Sequence, residues 1–212
     1  MQLGLMEMRL LFRLLIVSSK RVGKEFYMSD ILERLDKLKS RIQEDDFLKG
    51  NGLSNEVNIH IFCYEPSDEM AVRYFTEQLV SDQSLGCHVI EKNLYKVLLE
   101  ICDEKRITKA AASMEEKKGK DYLKAQILKF ANNKAFVEKI KPETQEMGDV
   151  LLLTGVGEVF PFARLHALLD AIQPEVPEIP ILVMYPGSFN GRELKLFNRL
   201  KPNGYYRAFN AI

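Results

Sequence analysis

The chain lacks an excess of charge of either sign. Thirty lysine and arginine residues balance thirty aspartate and glutamate residues, so the formal net charge at pH 7 is zero. The protein as a whole therefore offers no long-range positive field that would draw it onto DNA or an anionic membrane. Strong direct binding of nucleic acid is not expected, and any such contact would have to be local.

Cysteine is scarce as well. The three cysteines lie far apart, form no CxxC pair and are odd in number: Cys63, Cys87 and Cys102. This distribution fits neither a disulfide framework nor a zinc site. A reducing cytoplasm is the expected compartment, and no metal or other cofactor is expected.

The apolar run near the start of the chain is short. Residues 10–17 form eight positions interrupted by Arg13, whereas a membrane-spanning helix needs about 20 apolar residues. A secretory signal is an alternative because Arg9 could be its basic flank. Against it, Glu7 lies in the would-be basic region and no small-x-small cleavage site follows. No association with a membrane is expected.

Residues 1–27 are interpreted as a dispensable or mis-called extension. Met28 would be a natural start because Ser29 and Asp30 can cap a helix. The alternative is an ordinary amphipathic strand or helix packed on the domain. The apolar residues that follow have helical spacing and predict an N-terminal helix: Ile31, Leu35, Leu38 and Ile42.

The remaining chain, residues 28–212, is long enough for one medium domain. Two apolar runs, residues 150–153 and 181–185, predict strands buried on both faces. The first is expected at the centre of the sheet. A helix that Pro161 opens, through residues 161–172, would join the two strands in parallel by a right-handed crossover.

Weaker patterns complete the prediction. They indicate strands at 57–64, around 89 and at 205–209, helices at 67–80 and 93–104, and two helices within 105–141. The predicted fold is α/β, with a mostly parallel sheet flanked by helices, in a single domain that has an N-terminal helix.

Residues 154–161 follow the first buried strand, where open α/β sheets usually bind ligands. Gly155 and Gly157 would let the backbone turn sharply or approach a partner closely, although both could simply shape a strand-to-helix turn. Glu158 could hold a metal-bound water or the arginine of a partner. On the next helix, Arg164 and His166 are further candidates.

Asp170 lies four residues after His166, so the imidazole and the carboxylate share one helix face. This spacing could orient a catalytic histidine. It is equally typical of a solvent-exposed pair, and no serine or cysteine nucleophile lies in a recognisable motif.

The second candidate segment is the loop after the second buried strand, with Tyr185, Gly187 and Arg192. Loops of this kind often carry function, although a Pro-Gly turn and an Asn-Gly turn would explain the sequence equally well. If both buried strands are parallel, this loop and Glu158 line one edge of the sheet. We expect a shared binding edge there.

The C-terminal group at residues 205–209 is rich in tyrosine and arginine. Tyr206 and Arg207 are candidates for contact with a protein, because both residue types are favoured at interfaces. Stacking on nucleic-acid bases is less expected, since the net charge is zero. An edge strand with half-buried tyrosines is the alternative.

Several motifs of enzymes are missing. The chain contains no G-x-x-x-x-G-K-S/T, so no phosphate-binding P-loop can be assigned. It also contains no HExxH, no GxSxG and no cluster of cysteine and histidine ligands. An ordinary NTPase is therefore not expected, and no catalytic residue is assigned.

Four stretches form a further pattern: residues 52–69, which begin GLSNEVN, 153–166 (LTGVGEVFPFARLH), 185–191 (YPGSFNG), and 196–209, from LF to YYRAF. In order and spacing they resemble the BrxB family of the BREX bacteriophage-resistance system. The resemblance covers roughly residues 28–212, is strongest after Asp149 and stops short of residues 1–27. A carboxylate is common in the family where this chain has Cys63.

The resemblance implies an accessory component of a multi-gene phage-defence system, found beside an ATPase, a methyltransferase and a PglZ-type protein similar to alkaline phosphatases. The family motifs establish no activity of its own. The leading hypothesis is a non-enzymatic assembly factor that binds the PglZ-type protein or the ATPase through the segments above. The rival is an enzyme or sensor that binds a nucleotide or phosphate through Arg164 or Arg192, with Mg²⁺ on Glu158.

Overall fold

A parallel sheet lies at the centre of the molecule. The computed structural model describes residues 22–49, 58–201 and 208–212. The strands in these residues are β1 (Ile59–Tyr64), β2 (His88–Asn93), β3 (Asp149–Thr154), β4 (Ile181–Phe189), β5 (Leu194–Leu196) and β6 (Phe209–Asn210). Their order is β2–β3–β4–β1–β6, parallel at every contact, and β5 pairs antiparallel with the end of β4.

Helices cover both faces of this sheet. They are α1 (Val22–Arg41), α2 (Asp45–Lys49), α3 (Glu69–Ser81), α4 (Leu94–Glu104), α5 (Ile107–Lys118), α6 (Lys120–Phe130), α7 (Asn133–Ile140), α8 (Val156–Val159) and α9 (Leu165–Ile172). One face packs on α4, α7, α8 and α9, and the opposite face packs on α1, α2 and α3. The predicted fold, a mostly parallel sheet flanked by helices, is confirmed.

The core follows from the sequence of the inner strands. In β3 every residue is buried. Leu151 and Leu153 point to one apolar layer, whereas Val150 and Leu152 point to the other, because successive side chains of a strand alternate between its faces. Full burial of each such side chain stabilises the fold by about 1.5–3 kcal/mol. The middle of the five parallel strands is β4, so the expectation that residues 150–153 occupy the centre is wrong by one strand.

The N-terminal helix is confirmed, but its predicted start is not. Ile31, Leu35 and Leu38 are buried in α1, and Ile42 is buried just beyond it. The helix begins at Val22, so Ser29 and Asp30 lie inside it rather than at a cap. A potential N-cap residue does not fix where a helix starts when the residues before it can also be helical.

Two further predictions of helices need correction. Residues 105–141 contain three helices rather than two, because Gly119 has φ +80° between α5 and α6 and the side chain of Asn132 caps α7. Pro161 does not open the predicted helix, since Phe160 and Arg164 are both extended and α9 begins only at Leu165.

None of the helices within the described ranges is long and apolar enough to cross a membrane.

His60 gives β1 a pH-dependent contribution to stability. Its ring lies 4.2 Å from that of Phe47 and 5.9 Å from that of Phe209, measured between centroids, and Nε2 is 2.8 Å from Oδ1 of Asn58. Burial, assisted by the positive charge of Arg41, lowers the pKa of His60 to about 4. The folded protein therefore favours the neutral imidazole.

We expect this contribution to be present in full above pH 6.5, the ordinary pKa of histidine, and to be lost as the pH falls towards 4. Its full size is about 3 kcal/mol. Of the three histidine signals in a proton NMR titration, that of His60 should stay unprotonated down to about pH 5. A His60→Gln variant should show a flatter dependence of unfolding free energy on pH, and a midpoint near 6.5 for His60 would contradict the assignment.

Candidate functional site

The candidate site is the edge of the sheet where the parallel strands end. Because β3 and β4 are parallel neighbours, with Leu153 opposite Val183, residues 155–164 and 186–192 lie at the same edge. This placement of the two predicted loops on one edge is confirmed. The segment after β1 reaches the same edge from the other side of β4.

Gly155 and Gly157 shape the first loop. Gly155 adopts a left-handed conformation (φ +71°) at the start of α8. A side chain on Gly157 would place its Cβ 2.8 Å from Cε1 of Phe197 and 3.1 Å from Cγ of Pro186. The segment after β3 is therefore pressed against the end of β4 and the residues that follow β5.

Glu158 joins two helices through an ion pair. Its Oε1 lies 2.8 Å from Nη2 of Arg73 on α3, and Nε of Arg73 donates to Oε1 of Glu69 at 2.8 Å. The buried hydroxyl of Tyr64 donates to the other oxygen of Glu69 at 2.7 Å. The side chains of Arg73 and Glu158 are 46% and 37% exposed, so the pair contributes at most about 1 kcal/mol to stability.

Electrostatics favour the charged form of Arg73 and the neutral form of Tyr64. The carboxylates of Glu69 and Glu158 raise the pKa of Arg73. Burial, together with the hydrogen bond to Glu69, raises the pKa of Tyr64 well above its ordinary value. Two carboxylates face one guanidinium and one neutral phenol, so the network carries a net charge of −1. Its contacts are ion pairs and hydrogen bonds between charged or buried polar groups.

A second contact links β1 to the end of β5. Nδ2 of Asn198 donates to both carboxylate oxygens of Glu65 at 3.0 Å. Phe197 and Asn198 have φ values of 55° and 57°, which non-glycine residues adopt rarely. The strained turn brings Phe197 over Gly157 and Asn198 over Glu65, so connections after three strands form one continuous surface.

Arg164 and His166 lie at the start of α9. The side chain of Arg164 is exposed. Nε2 of His166 is 3.5 Å from Oδ2 of Asp170, and the two side chains are 40% and 68% exposed. The predicted pairing on one helix face is confirmed, in the form of a solvent-exposed pair.

The second loop is a continuation of β4. Tyr185 is only 4% exposed and packs in the core below the edge. Gly187 pairs with Leu196 in the β4–β5 hairpin. At the turn, Oδ1 of Asn190 accepts hydrogen bonds from the backbone nitrogens of Arg192 (3.0 Å) and Glu193 (2.8 Å). The exposed side chain of Arg192 is thereby carried on an ordered turn.

Two of the predicted candidates, Tyr206 and Arg207, lie outside the described residues, and their contact with a partner stays a prediction. Phe209, from the same predicted strand, lies in β6 opposite His60.

Sequence reasoning missed four residues of this edge: Glu65, Glu69, Arg73 and Asn198. The spacing of four between Glu69 and Arg73 on one helix was a usable signal for that pair. It also missed Met70 and Tyr74, which are 74% and 51% exposed on α3 and share one helix face by the same spacing.

Among residues 22–49, 58–201 and 208–212, no group of three or more histidine, cysteine, aspartate or glutamate side chains could hold a metal ion.

The polar side chains at the end of β2 form hydrogen bonds with one another and with β3. There Oγ1 of Thr154 donates to Glu91 at 2.6 Å, and Nδ2 of Asn93 donates to Oγ1 of Thr154 at 3.0 Å. Oδ1 of Asn93 caps α4.

Comparisons with known proteins agree with one another. The family model described as BREX protein BrxB matches residues 90–211. A protein named BREX protein BrxB from Bacillus cereus is 38% identical over 192 residues, which cover 87% of this chain and 99% of that relative. A protein of the same name from Escherichia coli is 32% identical over 184 residues, or 84% of this chain and 90% of the relative. No solved structure matches the chain.

Proposed function

The chain belongs to the BrxB family and is a component of a BREX system, and we propose that it acts there as a non-enzymatic assembly factor in the cytoplasm. One observation carries the proposal. The sheet edge at which an α/β protein would bind a small ligand is occupied by contacts of the chain with itself, between Glu158 and Arg73 and between Asn198 and Glu65. What these contacts leave is a surface with charged and apolar side chains.

The composition of this surface suits a protein partner. Arginine, tyrosine and methionine are enriched where proteins bind each other, and the edge and the adjoining face of α3 expose all three. We define the docking edge as the residues whose side chains are exposed or half-exposed there: Met70, Arg73, Tyr74, Glu158, Arg164 and Arg192.

The partners proposed are the PglZ-type phosphatase-like protein and the ATPase of the same system, which the family resemblance implies. Residues 90–211, the part matched by the family model, include the loops that carry Glu158, Arg164 and Arg192. A charged edge would set orientation and the rate of encounter, and Met70 and Tyr74 would supply apolar contact area.

Co-purification tests the proposal. The tagged full chain is expressed with the PglZ-type protein and the ATPase, and co-elution is measured by size-exclusion chromatography. A Glu158→Ala/Arg164→Ala/Arg192→Ala variant should bind at least tenfold more weakly and lose phage resistance. The matched control changes one carboxylate and two cations elsewhere: Glu33, Lys37 and Lys134 to Ala, whose side chains are 66%, 63% and 87% exposed.

Equal co-elution of the two triple variants would show that the docking edge is the wrong surface. A chain that co-elutes with neither protein, yet releases or absorbs heat on titration with ATP and Mg²⁺, would favour the rival nucleotide-binding function.

A further inference from the structure

The helical hairpin formed by α5 and α6 concentrates positive charge in a chain that is neutral overall. Residues 105–130 contain eight lysine and arginine residues against three aspartate and glutamate residues, a net charge of +5. The remainder of the chain therefore carries −5. Such separation of charge creates a local positive field that the net charge of the protein conceals.

The half of the hairpin nearest the core carries all of the excess positive charge. Residues 105–114 and 122–130 contain no acidic residue. Their five cations are exposed, and we call them the basic surface: Lys105, Arg106, Lys109, Lys124 and Lys129. In the tip half, residues 115–121, three lysines are balanced by three acidic residues.

No residue of the basic surface forms an ion pair with any side chain in the described ranges. The neighbouring Glu104 is already engaged, because its Oε1 lies 2.6 Å from Nζ of Lys139. Other cations of the chain, such as Lys37 and Lys49, have acidic partners one helical turn away. Nζ of Lys129 is 3.4 Å from Oε1 of Gln126, a neutral partner, so the five cations of the hairpin keep their full positive charge.

Little of the hairpin serves the core. Ile107 is buried, and Leu123 and Ile127 pack partly against the core. By contrast, Leu128 and Phe130 are 42% and 38% exposed. Nζ of Lys105 lies 5.8 Å from the ring centroid of Phe130, which places an aromatic face among the cations.

The backbone at Arg106 also favours a role outside the fold. Arg106 has φ 58° and ψ 19° at the turn between α4 and α5, a left-handed conformation that suits glycine better than a branched or long side chain. A glycine would relieve the turn, so the arginine is not explained by the stability of the backbone.

We propose that the basic surface of the α5–α6 hairpin binds the phosphate backbone of a nucleic acid, without sequence preference. Four of its five cations are lysines, which are depleted at protein interfaces but suit a repeating array of phosphates. The exposed ring of Phe130 adds a platform on which an unpaired base can stack. Because the rest of the chain repels a polyanion, binding is weak when the protein is alone and gains strength inside an assembly that holds nucleic acid nearby.

Fluorescence anisotropy of the full chain tests this inference with two labelled probes, a 30-base-pair DNA duplex and a single strand of the same length, between 25 and 200 mM salt. Binding of one or both is expected, with micromolar dissociation constants at low salt. The logarithm of the binding constant should fall with the logarithm of salt concentration with a slope of about −4. Preference for the single strand would assign the stacking role to Phe130, and equal binding would assign phosphate contacts alone.

Two variants separate binding from folding. Arg106→Gly should keep or raise the melting temperature while it reduces the salt slope by about 1. Lys109→Glu/Lys124→Glu/Lys129→Glu should weaken binding more than tenfold. The matched control reverses three exposed lysines elsewhere, Lys37, Lys195 and Lys201, and should weaken binding less than threefold.

Three outcomes would overturn the inference. The first is that the wild-type chain binds neither probe at 25 mM salt, and the second is that the two charge-reversal variants weaken binding equally. The third is that the wild-type chain binds vesicles containing anionic lipid or an acidic protein while it ignores both DNA probes. Each of these is independent of the docking edge, whose variants leave the basic surface intact.

Discussion

Replacement of Gly187 by alanine is expected to lower the free energy of unfolding by about 3 kcal/mol or more. The new Cβ would lie 2.2 Å from the carbonyl oxygen of Lys195 and 3.1 Å from the backbone nitrogen of Phe197. Both are backbone atoms of the β4–β5 hairpin or its continuation, so neither can rotate away. To relieve this clash the two strands must separate, which would break the hydrogen bond from the nitrogen of Phe197 to the oxygen of Pro186, at 2.8 Å.

Urea unfolding followed by circular dichroism measures this change. Gly86→Ala is the matched control, because its Cβ would meet only the side-chain oxygen of Gln43 at an ordinary 3.7 Å. That variant should be as stable as the wild type or slightly more stable, since alanine restricts the unfolded chain. A Gly187→Ala protein as stable as the Gly86→Ala protein would refute the close backbone approach in the hairpin.

Gly157→Ala is expected to destabilise the protein by about 1–3 kcal/mol, because it overfills the space under Phe197. In a Phe197→Ala background the same change should cost less, since the ring is gone and only the contact with Cγ of Pro186 at 3.1 Å remains. A double-mutant cycle of unfolding free energies gives this coupling directly. The same cycle, repeated with co-elution as the measurement, reports whether the joined loops are needed for docking.

If the cost of Gly157→Ala were the same in both backgrounds, Phe197 would not be the residue that the methyl group meets. The contact with Cγ of Pro186 would then be the source of the effect. Glycine within a helix is itself unfavourable by about 1 kcal/mol relative to alanine, so a stabilised Gly157→Ala variant would also contradict the packing described.

The elements that the sequence predicts well are those with local signals. β3 and β4 are continuous apolar runs, and α1 repeats its apolar residues at helical spacing, so burial alone specifies them. The shared edge follows from the rule that a strand–helix–strand unit pairs its strands in parallel through a crossover. Within 105–141 the helices are separated by two breaks, at Gly119 and Asn132, whereas the sequence predicts only one, because the residues around both breaks are good helix formers.

The contacts of the docking edge could not be predicted in the same way. Glu158 and Arg73 are separated by 85 residues, and Asn198 and Glu65 by 133. Such pairs depend on how strands are ordered in space, which no local pattern encodes. For the same reason, the sequence does not show why residue 157 is glycine. A side chain there would collide with Phe197, which is 40 residues away in the sequence.

The order of the strands also has a consequence for synthesis on the ribosome. β1 pairs with β4 and β6, and both neighbours are made later; Ile59 must wait for Ile181, 122 residues downstream. At about 5–20 residues per second, this delay is roughly 6–24 s. During it, Phe62 and the apolar face of α1 have no sheet to cover them. The nascent N-terminal third is therefore the part of the protein most exposed to aggregation, and the part with most to gain from a chaperone.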